Sequence, residues 1–170
     1  MGRPVGSEHD AGDPLAVRYD LVLPYTGQRG RLRPLVRIGV QIGDGVLQTL
    51  DALVDTGADA CVLDGSIALD AGIDPRTNPG EVITVSGFAG STIIRAYVHR
   101  VTLYLGSSYR FRTLTTNVAF TDPADPAAVL RTSVLGHRGF LDRVRFGVDG
   151  TVMPPHLFLG FPPARDAAGR

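Results

Sequence analysis

Leu53-Val54-Asp55-Thr56-Gly57-Ala58-Asp59 decides the reading of this chain, because it places a carboxylate in a tight turn directly after an apolar strand. A carboxylate that ends a strand is held by a rigid element, and Gly57 lets the backbone turn sharply and approach a neighbour. Ala58 adds no bulk beside the acid. The segment occurs once.

Working outward, Leu35-Val36-Arg37-Ile38-Gly39-Val40-Gln41-Ile42 alternates as a half-buried strand does, and Gly43-Asp44-Gly45 turns it into a second strand, Leu47 to Val54. That hairpin delivers Asp55 to its tip. A weaker alternation covers Val17 to Leu23. Beyond the turn, Cys61-Val62-Leu63 reads as a short strand, and Asp64 caps a brief expected helix through Ile67 and Leu69 to Gly72. Val82 to Val85 and Thr92 to Ile94 flank Ser86-Gly87-Phe88-Ala89-Gly90-Ser91, a hairpin tip with two glycines around one aromatic. Strands are expected at Ala96 to Leu105, Tyr109 to Phe120, Val144 to Val148 and His156 to Phe161. Asp122 to Pro126 forms a rigid loop, and Ser133-Val134-Leu135-Gly136 enters a short helical pattern from His137 to Arg143.

With 170 residues the chain fits one domain with a sizeable core. Its many Gly and Pro residues and short β-branched runs point to a mainly β fold with frequent turns. Residues 1–14 read as a flexible arm, 15–161 as the domain and 162–170 as a flexible tail. No stretch has the length of a membrane span. The first residues lack the apolar run of a signal peptide, so the expected location is cytoplasmic, and a lone Cys61 agrees with that.

Net charge is zero, and every basic residue other than histidine is Arg. The clusters Arg29/Arg31/Arg33/Arg37 and Arg138/Arg143/Arg145 are short, lack aromatic ladders and are balanced by acids elsewhere. They read as solvated faces or ion pairs and not as a nucleic-acid surface. His9, His99, His137 and His156 show no ligand spacing, so neither a metal nor a cofactor is expected. No serine sits in a nucleophile elbow and no loop cradles phosphate. Cys61 reads as a small core residue, without a partner in sequence to activate it.

Three elements in order resemble the retropepsins, the single-lobed aspartic peptidases typified by retroviral proteases. They are Asp55-Thr56-Gly57-Ala58-Asp59 followed by Val62-Leu63, the glycine-rich tip Gly87-Phe88-Ala89-Gly90, and Val134-Leu135-Gly136. Arg33-Pro34-Leu35-Val36 also resembles the family's N-terminal strand, and the resemblance covers residues 33 to about 148. It implies a single-lobed, retropepsin-like acid protease β-barrel with one short helix after the second catalytic-turn segment.

The resemblance further implies an aspartic endopeptidase that works on peptide or protein substrates as a homodimer. Carboxylate-driven peptide hydrolysis uses two acids sharing a proton, and this chain holds one such segment. Asp55, Thr56 and Gly57 would form the catalytic turn, with Thr56 bonding its symmetry mate across the axis or merely closing its own turn. Ala58, Asp59, Gly87, Phe88, Ala89, Gly90 and Val134 would meet the substrate. Asp59 serves equally as a loop cap, and for Val134 a core position is the safer reading than a pocket. The glycines 87 and 90 suit a mobile flap or an ordinary connection.

Departures from the family are specific. The retroviral enzymes place an Arg after the apolar-apolar-Gly segment, paired with the acid two residues past the catalytic Gly, whereas this chain has His137 there and Arg138 next. That ion pair to Asp59 is therefore expected to be absent or pH-dependent. The family closes its dimer with terminal strands, and this chain ends differently, with Val152 to Phe161 beyond the last helical pattern. A catalytically weak peptide-binding or dimerisation module on the same fold is the alternative function.

Overall fold

The computed structural model describes residues 19–27, 31–86, 93–107 and 110–162; the expected N-terminal arm, the tail beyond Pro162 and the hairpin tip 87–90 lie outside them. The strands are β1 Leu21–Pro24, β2 Leu35–Ile42, β3 Gln48–Val54, β4 Val62–Leu63, β5 Glu81–Ser86, β6 Ile93–Ser107, β7 Arg110–Thr121, β8 Ser133–Leu135, β9 Arg145–Asp149 and β10 His156–Gly160. One α-helix, α1 Gly65–Asp70, and one 3-10 turn, Pro126–Ala128, complete the described elements. No helix among the described residues is long and apolar enough to cross a membrane.

Alternation along β2 buries Val36, Ile38, Val40 and Ile42, while Arg37 points out to pair with Asp51 of β3. β2 pairs with β3 on one side and with the far half of β6 on the other. The ring then runs β2, β3, β8, β4, β7, β6 and back to β2, a closed six-stranded barrel with β5 attached outside β6. Closure pairs every strand of the ring on both sides. Two joints of the ring are parallel, β3 with β8 and β4 with β7. The core is filled by Ile38, Val40, Leu63, Leu103, Leu105, Phe120, Leu135 and Phe140. Leu157 and Leu159 reach the same core from a separate antiparallel sheet, ordered β1-β10-β9.

Helix α1 starts where Asp64 accepts from Ser66 N at 3.0 Å, and the other oxygen of Asp64 accepts from Leu130 N at 2.7 Å. Burial pushes the Asp64 carboxyl up, but the bonds from Ser66 and Leu130 outweigh it and leave it below the usual carboxylate range. Gly72, at φ 84°, ends the helical segment as its sequence position suggests.

The helix expected over His137 to Arg143 is not formed. That stretch is a coil of turns, with Leu141 N bonded to Gly136 O and Asp142 N to His137 O, both at 3.0 Å. The reason is Gly139, whose φ of 99° lies outside the helical region and whose N–H is taken by Asp142 Oδ1. Ile93 and Ile94 of one expected strand, whose Thr92 lies outside the described residues, and the expected strand Ala96 to Leu105 belong to one continuous strand, β6, which pairs with β7 from Ala96 to Ser107.

Candidate active site

Asp55 follows β3 directly. Its backbone N donates to Leu135 O at 3.1 Å, which ties it to β8, and its carbonyl accepts from Ala58 N at 3.2 Å, which closes the turn. The carboxylate Oδ1 accepts from Gly57 N at 2.8 Å. A Cβ on Gly57 would stand 3.2 Å from that oxygen, so glycine keeps the approach to the carboxylate clear. Asp55 is half-buried, while Thr56 and Gly57 are exposed.

The turn is braced from behind by the segment following β8. His137 N donates to Ala58 O at 2.8 Å, Arg138 N to Asp59 O at 2.9 Å, and Cys61 N to Arg138 O at 3.1 Å. Gly136 lies at the point of closest approach: a Cβ there would fall 2.4 Å from Ala60 O and 2.6 Å from Ala58 O. Only glycine fits this crossing. The Val134-Leu135-Gly136 segment therefore reaches the position that its resemblance implies, against the Asp55 turn.

The remaining site residues divide. Ala58 is half-buried and Asp59 exposed on the same loop as the acid. Val134 is 8 % exposed, pairs with Leu53 and Val62 in the barrel, and belongs to the core. Gly87, Phe88, Ala89 and Gly90 lie outside the described residues. Among the described residues no ion pair involves Asp59. The His137 ring goes instead to the carbonyl oxygen of Thr56, with Nε2 3.0 Å away. Cys61 is buried, and burial pushes its thiol up to about 12, so it stays protonated at neutral pH and is no nucleophile.

A cavity of about 220 Å³ opens beside Cys61, floored by Cys61, Thr116 and Gly139 and rimmed by Glu81, Arg138 and Asp142. Asp55 does not line it. Thr116 Oγ1 is buried there without a hydrogen-bond partner. Sequence reading missed this cavity because its walls come from five separated segments, and none of them carries a local signal.

A model of the aspartyl protease family matches residues 38–138. Among solved structures, a retropepsin-like aspartic protease from Rickettsia conorii is 17 % identical, with 82 % of this chain and 89 % of that chain covered at a TM-score of 0.52. EIAV protease complexed with the inhibitor HBY-793 is 20 % identical, with 66 % and 88 % covered at a TM-score of 0.38. No curated protein matches the sequence.

Proposed function

Because the chain belongs to the aspartyl protease family, we propose that it is an endopeptidase whose active form is a homodimer, with one Asp55 from each copy meeting across a two-fold axis. The observation that carries this reading is the Asp55 turn itself: a carboxylate oriented by the Gly57 N–H, braced by β8, and presented on a surface beside exposed Thr56 and Gly57. Such a surface is half of a site, and a second copy supplies the other half.

Two carboxylates at that distance cannot both ionise easily, so the pair holds one proton and titrates as a unit. The ionised member takes a proton from a bound water as the water attacks the scissile carbonyl. The protonated member gives its proton to the carbonyl oxygen. A neutral gem-diol forms and then collapses, releasing the amine, with no covalent intermediate. Thr56 hydroxyls fix the two turns against each other across the axis. An extended substrate runs between the turns and the β5–β6 hairpin, held by its backbone, while Ala58 and Asp59 border it.

One observation favours the second reading, a binding module without useful turnover. β1 pairs with β10 inside the same chain, from Leu21 with Leu159 to Pro24 with His156. β10 is thereby paired on both sides within one copy and offers no edge with which to close a dimer.

The test is cleavage of a diverse peptide mixture from mildly acidic to neutral pH by wild type and Asp55→Asn, with the mass of both assemblies measured by sedimentation. Wild type is expected to cleave as a dimer. Asp55→Asn is expected to dimerise and to lose at least about a thousandfold in kcat/KM, in line with the share that positioned proton-transfer groups contribute. Equal cleavage by the variant would sink the peptidase mechanism. A well-formed dimer that cleaves nothing in the mixture would favour the binding module.

A further inference from the structure

The peptide unit joining Thr56 to Gly57 is held at both ends. Its N–H, that of Gly57, donates to Asp55 Oδ1 at 2.8 Å. Its carbonyl oxygen, that of Thr56, lies 3.0 Å from His137 Nε2. A carbonyl oxygen has no hydrogen to give, so Nε2 carries it. The bonds run in one row: imidazole N–H, peptide carbonyl, peptide N–H, carboxylate.

We propose that His137 is a positioning residue of this site, acting on Asp55 through the Thr56–Gly57 peptide; the catalytic part of this inference rests on the peptidase reading above. Two effects follow from the row. Donation to the Thr56 carbonyl polarises the amide and makes the Gly57 N–H a stronger donor, and a stronger donor to Oδ1 favours the charged carboxylate. The same bond, together with that from the Gly57 N–H, fixes the plane of a peptide whose two residues are exposed, and so fixes the direction in which Asp55 presents its oxygens.

The base that carries the ring is rigid. His137 N is bonded to Ala58 O, its carbonyl accepts from Asp142 N, and Gly136 before it is wedged against Ala58 and Ala60. The charged groups on the packed segments are Asp55 and Asp59 on the turn and Arg138, Asp142 and Arg143 on the coil. Asp142 is occupied by the Gly139 N–H and by Arg143 at 3.6 Å. The ring's contact is with a neutral carbonyl, so the row does not depend on an ion pair.

Three variants of this chain separate a donor from a space-filler. His137→Phe keeps a ring and removes the donor, and His137→Ala removes both. His137→Gln restores an N–H at similar reach without an ionisable group. With Phe and Ala, kcat is expected to fall about tenfold while KM stays within about twofold, and the acid limb of the pH–rate profile to move to higher pH, because the carboxylate loses stabilisation. Gln is expected to recover most of both. A second readout needs no turnover: the Gly57 amide proton should move upfield in Phe and Ala and return in Gln.

Wild-type kcat, acid limb and Gly57 resonance in Phe and Ala would overturn the proposal. Equal losses in Phe, Ala and Gln would also overturn it, since the ring would then act by shape alone. A protein that cleaves nothing but shows the Gly57 shift and its recovery would uphold the His137 link and reject the peptidase reading instead.

Discussion

The barrel and the terminal sheet solve the same problem, how to end a sheet, in opposite ways. In the barrel the order closes on itself through β2 and β6, so each ring strand is paired on both sides. In the terminal sheet β10 lies in the middle, and β1 and β9 are its edges among the described residues. Their burial differs accordingly. Leu157 and Leu159 at the centre are 2 % and 0 % exposed, whereas Val22 on one edge strand and Phe146 and Val148 on the other are 40–56 % exposed. The difference teaches where tolerance to change lies. The Asp55 turn follows a ring strand that has no free edge, whereas the edges among the described residues belong to β5, attached outside the ring, and to β1 and β9.

The largest expected effect tests the closed region. Gly136→Ala puts a methyl against two backbone carbonyls that the ring holds in place, so it should cost about 3 kcal/mol or more and abolish cleavage. Chemical denaturation of the variant checks this. A loss below about 1 kcal/mol would mean that the crossing has slack, and that the barrel is less constrained than the terminal sheet.

A smaller effect tests the latch between the two regions. Asp20 precedes β1, accepts from Phe161 N at 2.7 Å beyond β10 and from Arg112 Nε at 3.0 Å on β7. Asp20→Ala should cost about 1–2 kcal/mol, the exposed arginine contributing the lesser part. The Phe161 N–H first, and Arg112 after it, hold the Asp20 carboxyl below the usual carboxylate range. The sign follows: this stability is complete above the unfolded aspartate value of about 3.9 and is lost as pH falls through the folded one. Acid titration of wild type against Asp20→Ala should therefore show the two converging below that range. Curves that stay parallel down to the lowest pH would remove Asp20 as the latch.

The smallest effect belongs to the open edge. Val148→Lys, at a position 56 % exposed, should leave unfolding within about 0.5 kcal/mol of wild type. A loss beyond about 1 kcal/mol would show that this face is covered, and the contrast between the two sheets would fail.

Legibility in the sequence followed the range of the forces involved. β2 is read without error at Leu35–Ile42 because its alternation is local, and Asp64 and Gly72 mark the ends of the helical segment for the same reason. Asp55 was legible because the turn chemistry sits in three consecutive residues. The His137–Arg143 coil was misread as helical: its apolar spacing fits a helix, but Gly139 takes a conformation that spacing does not report. The destination of the His137 ring was hidden too. Its position marked a departure from the retroviral pattern and left the pair with Asp59 absent or pH-dependent, but nothing local pointed to Thr56, because that contact spans 81 residues. Thr116 gives no sign in sequence that its hydroxyl is enclosed without a partner.

That long span has a consequence for how the protein comes into being. Everything that orients Asp55 from behind comes from residues 135–138, and the contacts of that brace join positions 75 and 81 apart. During synthesis, at about 5–20 residues per second, the acid and its glycine emerge several seconds before their support. The parallel β3–β8 joint also requires closure of that long loop, which is slow compared with forming the β2–β3 hairpin. A nascent chain thus carries the acid before its brace, and a ribosome-bound chain that ends before Gly136 has only the local turn and the β2–β3 hairpin to hold Asp55.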